Sequence, residues 1–364
     1  MIISKKPTDN VIKYIDIANE KLDKMRNRED IIILAIESSC DETAVAITKG
    51  RTLLSNVIAS QIDIHKRFGG VVPEIASRNH TMAIDGVTAQ ALEEAKLTLD
   101  DVDCIAVTYG AGLLGALIVG VSYAKALAYA TKKPLIAVNH IKGHIAANYI
   151  AKPDLKPPYL CLIASGGHTT IAYVKSLVDV EIKGATQDDA CGEAFDKVAR
   201  VLGLPYPGGP QIEKLAKEGT ANIALPTPYK DKDTYDFSYS GIKTAVINYA
   251  HKCEQKGEPL RRADLACSFQ EKVTDIMVDN TIRCAVDMNV DTVVIAGGVG
   301  ANGVLREKMQ KRAQEKGITV YYPPMKLCTD NGAMIASHAY NMIKSGAKSS
   351  DIDLDANANV KVVD

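Results

Sequence analysis

IIILAIESSCDETAVAIT, residues 31 to 48, is a run of strand-forming residues broken once by a polar turn at Glu37 to Glu42 and then resumed. YLCLIASGGHTTIAYV, residues 159 to 174, repeats the design, with its turn at Ser165 to Thr169. Two β-turn-β units a domain-length apart, each followed by alternating helices and strands, predict a duplicated α/β architecture.

Working outward, residues 10 to 26 place Val11, Ile15, Ala18, Leu22 and Met25 at alternating steps of four and three behind the caps Asp9 and Asn10, which predicts an amphipathic helix packed on the body. After the first unit, Gly115 to Thr131 reads as a helix, Pro134 to Val138 as a buried strand and His140 to Ile150 as a helix. Further helices are expected at about 191 to 202, 210 to 218, 240 to 252, 264 to 288 and from Gly303, with strands at Thr292 to Ala296 and Ile318 to Tyr322. The last helix opens at Asp330 to Asn331. The expected units are a helical extension (1–30), a first α/β domain (31–152), a second with helical insertions (153–346) and a loose, Asp-rich tail (347–364), with a hinge near Lys152 to Pro158.

A chain of 364 residues with 46% hydrophobic content can bury a large core. Its formal net charge of −1 supplies no global positive field, so any nucleic-acid contact needs a local patch or a partner. Eight cysteines without a CxxC pair are expected to be reduced and mostly buried. The first thirty residues hold no signal-like apolar run and carry Asp9, Asp16, Glu20 and Asp23, and apolar stretches stop short of a membrane span. A cytoplasmic protein without membrane contact is expected.

His140 and His144 lie four apart in NHIKGHIAAN. On one helix face such residues stand about 6 Å apart at Cβ, which suits two cis ligands on a divalent metal. A zincin needs HExxH, and Ile141 stands where its glutamate would. Asp330 in LCTDNGAMIA could be a third ligand, or equally the N-cap of the helix it opens. Two imidazoles and a carboxylate leave positions open and accept Fe(II) or Zn(II). Gly297 to Asn302, GGVGAN, follows a strand and opens a helix, so its backbone could approach a nucleotide closely, although it lacks the GxGxxG order. Tyr206 to Pro210 is a second Gly-rich turn or a plain connector, and Asp196 in GEAFDKVAR is a solvated helix charge or a ribose ligand.

The ordered set ESSCDET (37–43), GGVVPEIASRNH (69–80), NHIKGH (139–144), SGGHT (165–169), GEAFDKVAR (192–200), YPGGP (206–210), GGVGAN (297–302) and CTDNGA (328–333) resembles the tRNA N6-adenosine threonylcarbamoyltransferase family. The likeness runs from about residue 31 to 345, and the histidine of SGGHT is similar to the bacterial branch. It implies the duplicated two-domain actin-like ATPase fold, related to ribonuclease H. It also implies transfer of a threonylcarbamoyl group from threonylcarbamoyl adenylate to N6 of the adenosine 3′ of the anticodon. By resemblance the metal, Fe(II) in preference to Zn(II), falls on His140, His144 and Asp330. The adenylate falls on Ile163, Ala164, Ser165, Gly166, Gly167, Asp196, Gly209, Glu213 and Asn302, with Glu213 where many members have Asp. Implied partners are tRNA, an inactive paralogous subunit (TsaB-like) and a small ATPase (TsaE-like).

Glu37 and Asp41 are candidates for proton handling or donor positioning, and His65, Lys66, Arg67, Arg78 and His80 for an RNA-facing patch or a partner-contacting loop. Two other readings compete. A small-molecule kinase or ATPase of the same fold would have no use for the histidine pair, and a nucleotide-binding scaffold would survive its loss.

Overall fold

The computed structural model describes residues 9–229 and 232–362, with the backbone alone at 9–13. The first half runs α1 (Asp9–Met25), β1 (Ile32–Glu37), β2 (Glu42–Lys49), β3 (Thr52–Ser60), α2 (Ile62–His65), α3 (Pro73–Ala95), β4 (Cys104–Gly110), α4 (Leu114–Thr131), β5 (Leu135–Asn139) and α5 (His140–Ala151). The second runs β6 (Tyr159–Ala164), β7 (Thr169–Val174), β8 (Val180–Ala185), α6 (Cys191–Val201), α7 (Gly208–Ala216), α8 (Ser240–Lys256), α9 (Arg262–Asp287), β9 (Thr292–Ala296), α10 (Gly303–Glu315), β10 (Thr319–Tyr321) and α11 (Gly332–Lys344).

Each half builds one five-stranded sheet, in the orders β3-β2-β1-β4-β5 and β10-β9-β6-β7-β8. β1 is antiparallel to β2 and parallel to β4, and β6 stands in the same relation to β7 and β9. The sheets therefore match strand for strand, which is the expected duplicated α/β fold. β1 and β6 are apolar without alternation because helices cover both faces of each sheet, so neither set of side chains meets water.

Two helices cross between the halves. α5 follows the first sheet in the chain but lays Ile141, Ile145 and Tyr149 against Cys161 and Ile163 of the second sheet. α11 follows the second sheet but buries Ala333, Met334 and Ile335 against Ile33, Ala35 and Ala46 of the first. They also pack on each other, and Gly143 permits it: a Cβ there would stand 2.8 Å from Ile335 Cδ1. A cut at residue 152 or 153 thus separates the chain but not the cores.

α1 packs on the first half through Tyr14, Ala18, Leu22 and Met25, as the apolar stripe requires. Full burial of Leu22 alone contributes about 1.5–3 kcal/mol. The side chains of Val11 and of the expected caps Asp9 and Asn10 lie outside the described residues. The tail, expected to be loose, is instead fastened to the first half. Ser350 N donates to the Leu135 carbonyl (2.7 Å), Asn357 N to Tyr109 (2.8 Å) and Gly112 N to Ala358 (3.2 Å). The acceptors Leu135 in β5 and Tyr109 in β4, and the Gly112 donor in the turn after β4, are tertiary partners that composition could not reveal.

Gly115, Gly120 and Lys125 interrupt the apolar run of α4. α4 is long and apolar enough, by length and composition, to cross a membrane. Its Leu117, Val121 and Ala124 are nevertheless buried in the core. The eight cysteines are all free.

Candidate active site

A cavity of about 560 Å³ opens between the halves, walled by the first turn of the N-terminal unit, the SGGH turn, the YPGGP turn, the glycine loop after β9 and the segment leading to Asp330. Strand register brings its functional groups together. β4 pairs with β5 so that Gly110 faces Asn139, the last residue before the metal-type helix. Asn139 Oδ1 accepts from Ile141 N and Lys142 N and caps α5, so His140 enters the cavity wall on the first turn of a fixed helix.

His140 and His144 stack edge to face with ring centroids 4.7 Å apart. Asp330 Oδ1 lies 3.6 Å from His140 Nε2 and 3.1 Å from His144 Nε2. One donor atom from each residue falls within 4.8 Å of the others. Asp330 is free for this because Asn331 performs the capping, accepting from Met334 N. The alternative role for Asp330, the N-cap, is thus taken by its neighbour.

The donor set fits a divalent cation. Both ring nitrogens of His144 are buried without a hydrogen-bond partner, although Nε2 stands 3.1 Å from Asp330 Oδ1. Donor atoms that stand this close together suit a shared third atom. With no cation, burial lowers the His140 pKa, but the charges of Glu37 and Asp330 outweigh it and bring the value to about 9. Burial raises that of Asp330, and the imidazole charges, His140 first, reverse it to about 2. A cation would take the place of those protons.

Glu37, a candidate for proton handling, does not line the cavity. It is fully buried behind His140, with Oε2 3.1 Å from His140 Nδ1. Asp41 does line it, is 6% exposed, and has an Oδ2 without a partner. Its neighbour Glu42 was missed by sequence reasoning. Glu42 also faces the cavity, and burial, then the charges of Asp330 and Asp41, push its carboxyl up to about 10.

Ser165, Gly166, Gly167, Asp196, Gly209, Glu213 and Asn302 all reach the cavity. Ile163 and Ala164 do not: they end β6 with their side chains in the cores on its two faces. Asp196 Oδ1 accepts from Gly208 N at 2.7 Å and fixes the YPGGP turn. Glu213 Oε1 accepts from Gly303 N at 3.1 Å, and Asn302 caps α10 through Leu305 N. His168 is held neutral, its pKa lowered to about 4 by burial and then by the charges of His140 and His144. Phe195 and Tyr206, carried by the GEAFDKVAR and YPGGP segments, and Met325, which lies in no motif, complete the walls.

In the cationic segment, Lys66, Arg67 and Arg78 are exposed, but His65 and His80 are fully buried and face no RNA. His80 Nδ1 meets Thr43 Oγ1 at 2.7 Å and its Nε2 meets the Cys40 carbonyl at 2.8 Å, so it braces the first turn. His65 receives Val72 N.

Residues 52–337 match the family model for tRNA N6-adenosine threonylcarbamoyltransferase (TsaD). The chain is 56% identical over 337 residues to the tRNA N6-adenosine threonylcarbamoyltransferase of Clostridium botulinum strain 657, covering 92% of this chain and 99% of that one. Identity to the enzyme of the same name from Clostridium novyi strain NT is 57% over 337 residues, covering 92% and 98%. For that of Clostridium perfringens strain 13 it is 54% over 333 residues, covering 91% and 98%. Among solved structures, HypF in a phosphate- and nucleotide-bound form superposes with TM-score 0.58 at 17% identity, over 88% of this chain and 47% of HypF. HypF of T. kodakarensis does so with TM-score 0.60 at 13% identity, over 90% and 50%. This chain thus spans about half the length of HypF, and at such identities the likeness concerns fold alone. With the family model covering most of its length and its relatives matched nearly end to end, the chain belongs to the tRNA N6-adenosine threonylcarbamoyltransferase family.

Proposed function

We propose that this protein transfers the threonylcarbamoyl group of threonylcarbamoyl adenylate to N6 of the adenosine 3′ of the anticodon, in tRNAs reading codons that begin with A. The observation that supports it is 56% identity, nearly end to end, to a threonylcarbamoyltransferase in a chain whose two imidazoles and one carboxylate converge, with His140 and Asp330 on the cavity wall. In the transfer, the bond from the carbamoyl carbon to the adenylate oxygen breaks and a bond from that carbon to N6 forms. AMP leaves with the electron pair, and N6 releases a proton.

Adenine N6 is a weak nucleophile because its lone pair is delocalised into the ring. His140, His144 and Asp330 would hold a divalent cation, Fe(II) in preference to Zn(II), and such an ion supplies a Lewis acid for the oxygen that gains charge. The backbone N–H groups of Gly166, Gly167 and, in the loop from Gly297 to Gly300, of Gly298 and Val299 hold the adenylate phosphate, and Asp196 and Glu213 accept from the ribose hydroxyls. Asn302 shapes the floor of the nucleotide end. Ile163 and Ala164 take part through the backbone that carries the SGGH turn. Asp41, which faces the cavity with a carboxylate oxygen unpaired, takes the N6 proton.

A net charge of −1 leaves tRNA binding to a local patch, and Lys66, Arg67 and Arg78 supply one beside the cavity segment. A TsaB-like inactive paralogue and a TsaE-like ATPase complete the cytoplasmic machinery. The test uses purified protein with those partners, threonylcarbamoyl adenylate and unmodified tRNA, comparing wild type with His144→Ala and Asp330→Ala. Modified adenosine should form with the wild type alone. Full modification by both variants would overturn the metal reading, and none by wild type with active partners would overturn the transferase reading.

A further inference from the structure

The two histidines of the triad are not held alike. His144 has no hydrogen-bond partner on either ring nitrogen, whereas His140 Nδ1 has two oxygen neighbours at 3.1 Å, Glu37 Oε2 and Ser39 Oγ. Glu37 is itself fixed. Thr108 Oγ1 donates to Oε2 at 2.5 Å, and Ser39 N donates to Oε1 at 2.6 Å. The parallel pairing of β1 and β4 produces this, since Ile36 faces Val107 and the next residues along are Glu37 and Thr108. Glu37 has no exposure to solvent and no place on the cavity wall, so it touches no substrate.

We propose that Glu37, clamped by Thr108 and the Ser39 amide, is a positioning residue that fixes the His140 ring for metal. The inference rests on the metal reading given above. A carboxylate oxygen only accepts, so Nδ1 carries the proton and the lone pair of His140 sits on Nε2, the nitrogen that faces Asp330. The clamp also freezes the ring, so little rotational freedom is lost when the ligand engages. A buried negative charge behind an imidazole makes that imidazole a stronger donor. With Asp330 in front and Glu37 behind, two carboxylates match the two charges of a divalent ion, which disperses an otherwise costly buried charge. Thr108 and Ser39 serve the metal at one remove, through Glu37.

Cobalt(II) is the probe, because its visible spectrum reports ligand geometry independently of catalysis. The metal-free full-length protein is titrated as wild type, Glu37→Gln, Thr108→Val and His144→Ala. We expect Glu37→Gln to bind cobalt about 10- to 100-fold more weakly with an altered d–d spectrum, and its unloaded form to melt close to wild type. Thr108→Val, which leaves the charge and frees the carboxylate, should weaken binding several-fold and carries the test if Glu37→Gln does not fold. In zinc-loaded wild type labelled with ¹⁵N-histidine, His140 should show the Nδ1–H tautomer. Unchanged cobalt affinity and spectrum in a folded Glu37→Gln, or in Thr108→Val should the first not fold, would overturn the positioning role. Failure of wild type itself to bind cobalt would overturn the metal reading instead.

Discussion

Asn139 joins the end of the chain to the start of the histidine helix: its Nδ2 donates to the Lys361 carbonyl at 2.9 Å while its Oδ1 caps α5. Truncation after Ser350 removes that bond along with those from Asn357 and Ala358 to β4 and the following turn. At about 1 kcal/mol per bond, and with Ile352 and Leu354 also unpacked, we expect a loss of about 2–4 kcal/mol. A denaturant titration measures it. An unchanged midpoint would mean that the tail lies on the fold without supporting it.

Metal should also appear as stability. A ligand that binds only the native state adds about 2.7 kcal/mol when present at 100 times its Kd. Removing divalent ions with a chelator should therefore lower the wild-type melting temperature by several degrees and leave His144→Ala unmoved. Equal shifts in both would place the ion elsewhere.

Gly192 opens α6 against the SGGH turn. A Cβ there would stand 2.6 Å from the Ser165 carbonyl oxygen and 2.8 Å from Gly166 Cα, both of them backbone that cannot swing aside. Gly192→Ala should cost about 1–3 kcal/mol and weaken adenylate binding. Gly166 has open space around its Cβ position, so Gly166→Ala should melt like wild type while still crowding the ligand. Calorimetric binding of AMP beside thermal melts separates the two effects.

His338 is buried in α11, and burial, with the nearby Lys142 charge, lowers its pKa to about 3. A folded value below the unfolded one, about 6.5, means the unfolded chain binds the proton more readily. The native state therefore keeps its full advantage above pH 6.5, loses it as the pH falls from there to about 3, and stands a few kcal/mol lower at the end. His338→Gln should flatten that acid limb. Denaturation midpoints at pH 7 and pH 4.5 decide it, and parallel slopes in both proteins would remove His338 from the account.

The strands around the two polar turns were legible because strands buried on both faces are nearly continuous apolar runs. The triad was legible because imidazoles four apart share a helix face whatever surrounds them. β3, β4, β8 and α3 were not read. β3 alternates only partly at a half-buried position, and α3 buries His80 and Thr88 within its apolar face, which blurs the stripe. Glu37 looked like a turn residue because only the pairing of β1 with β4 shows that it points into the protein beside Thr108. His65 and His80 looked like surface cations for the same reason, since burial is a tertiary fact. Which sheet α5 or α11 covers is likewise absent from local pattern.

The crossing of α11 onto the first sheet sets an order on synthesis. A ribosome delivers Ile33, Ala35 and Ala46 early, and their covering partners Ala333, Met334 and Ile335 only near the end. Until then Leu22, Met25 and Ala147 cover that face of the nascent sheet only in part, and the histidine pair waits, about half a chain length ahead of its carboxylate. A prematurely terminated chain is therefore left with a partly uncovered apolar face for quality control to seize, and only a finished one can bring His144 and Asp330 together.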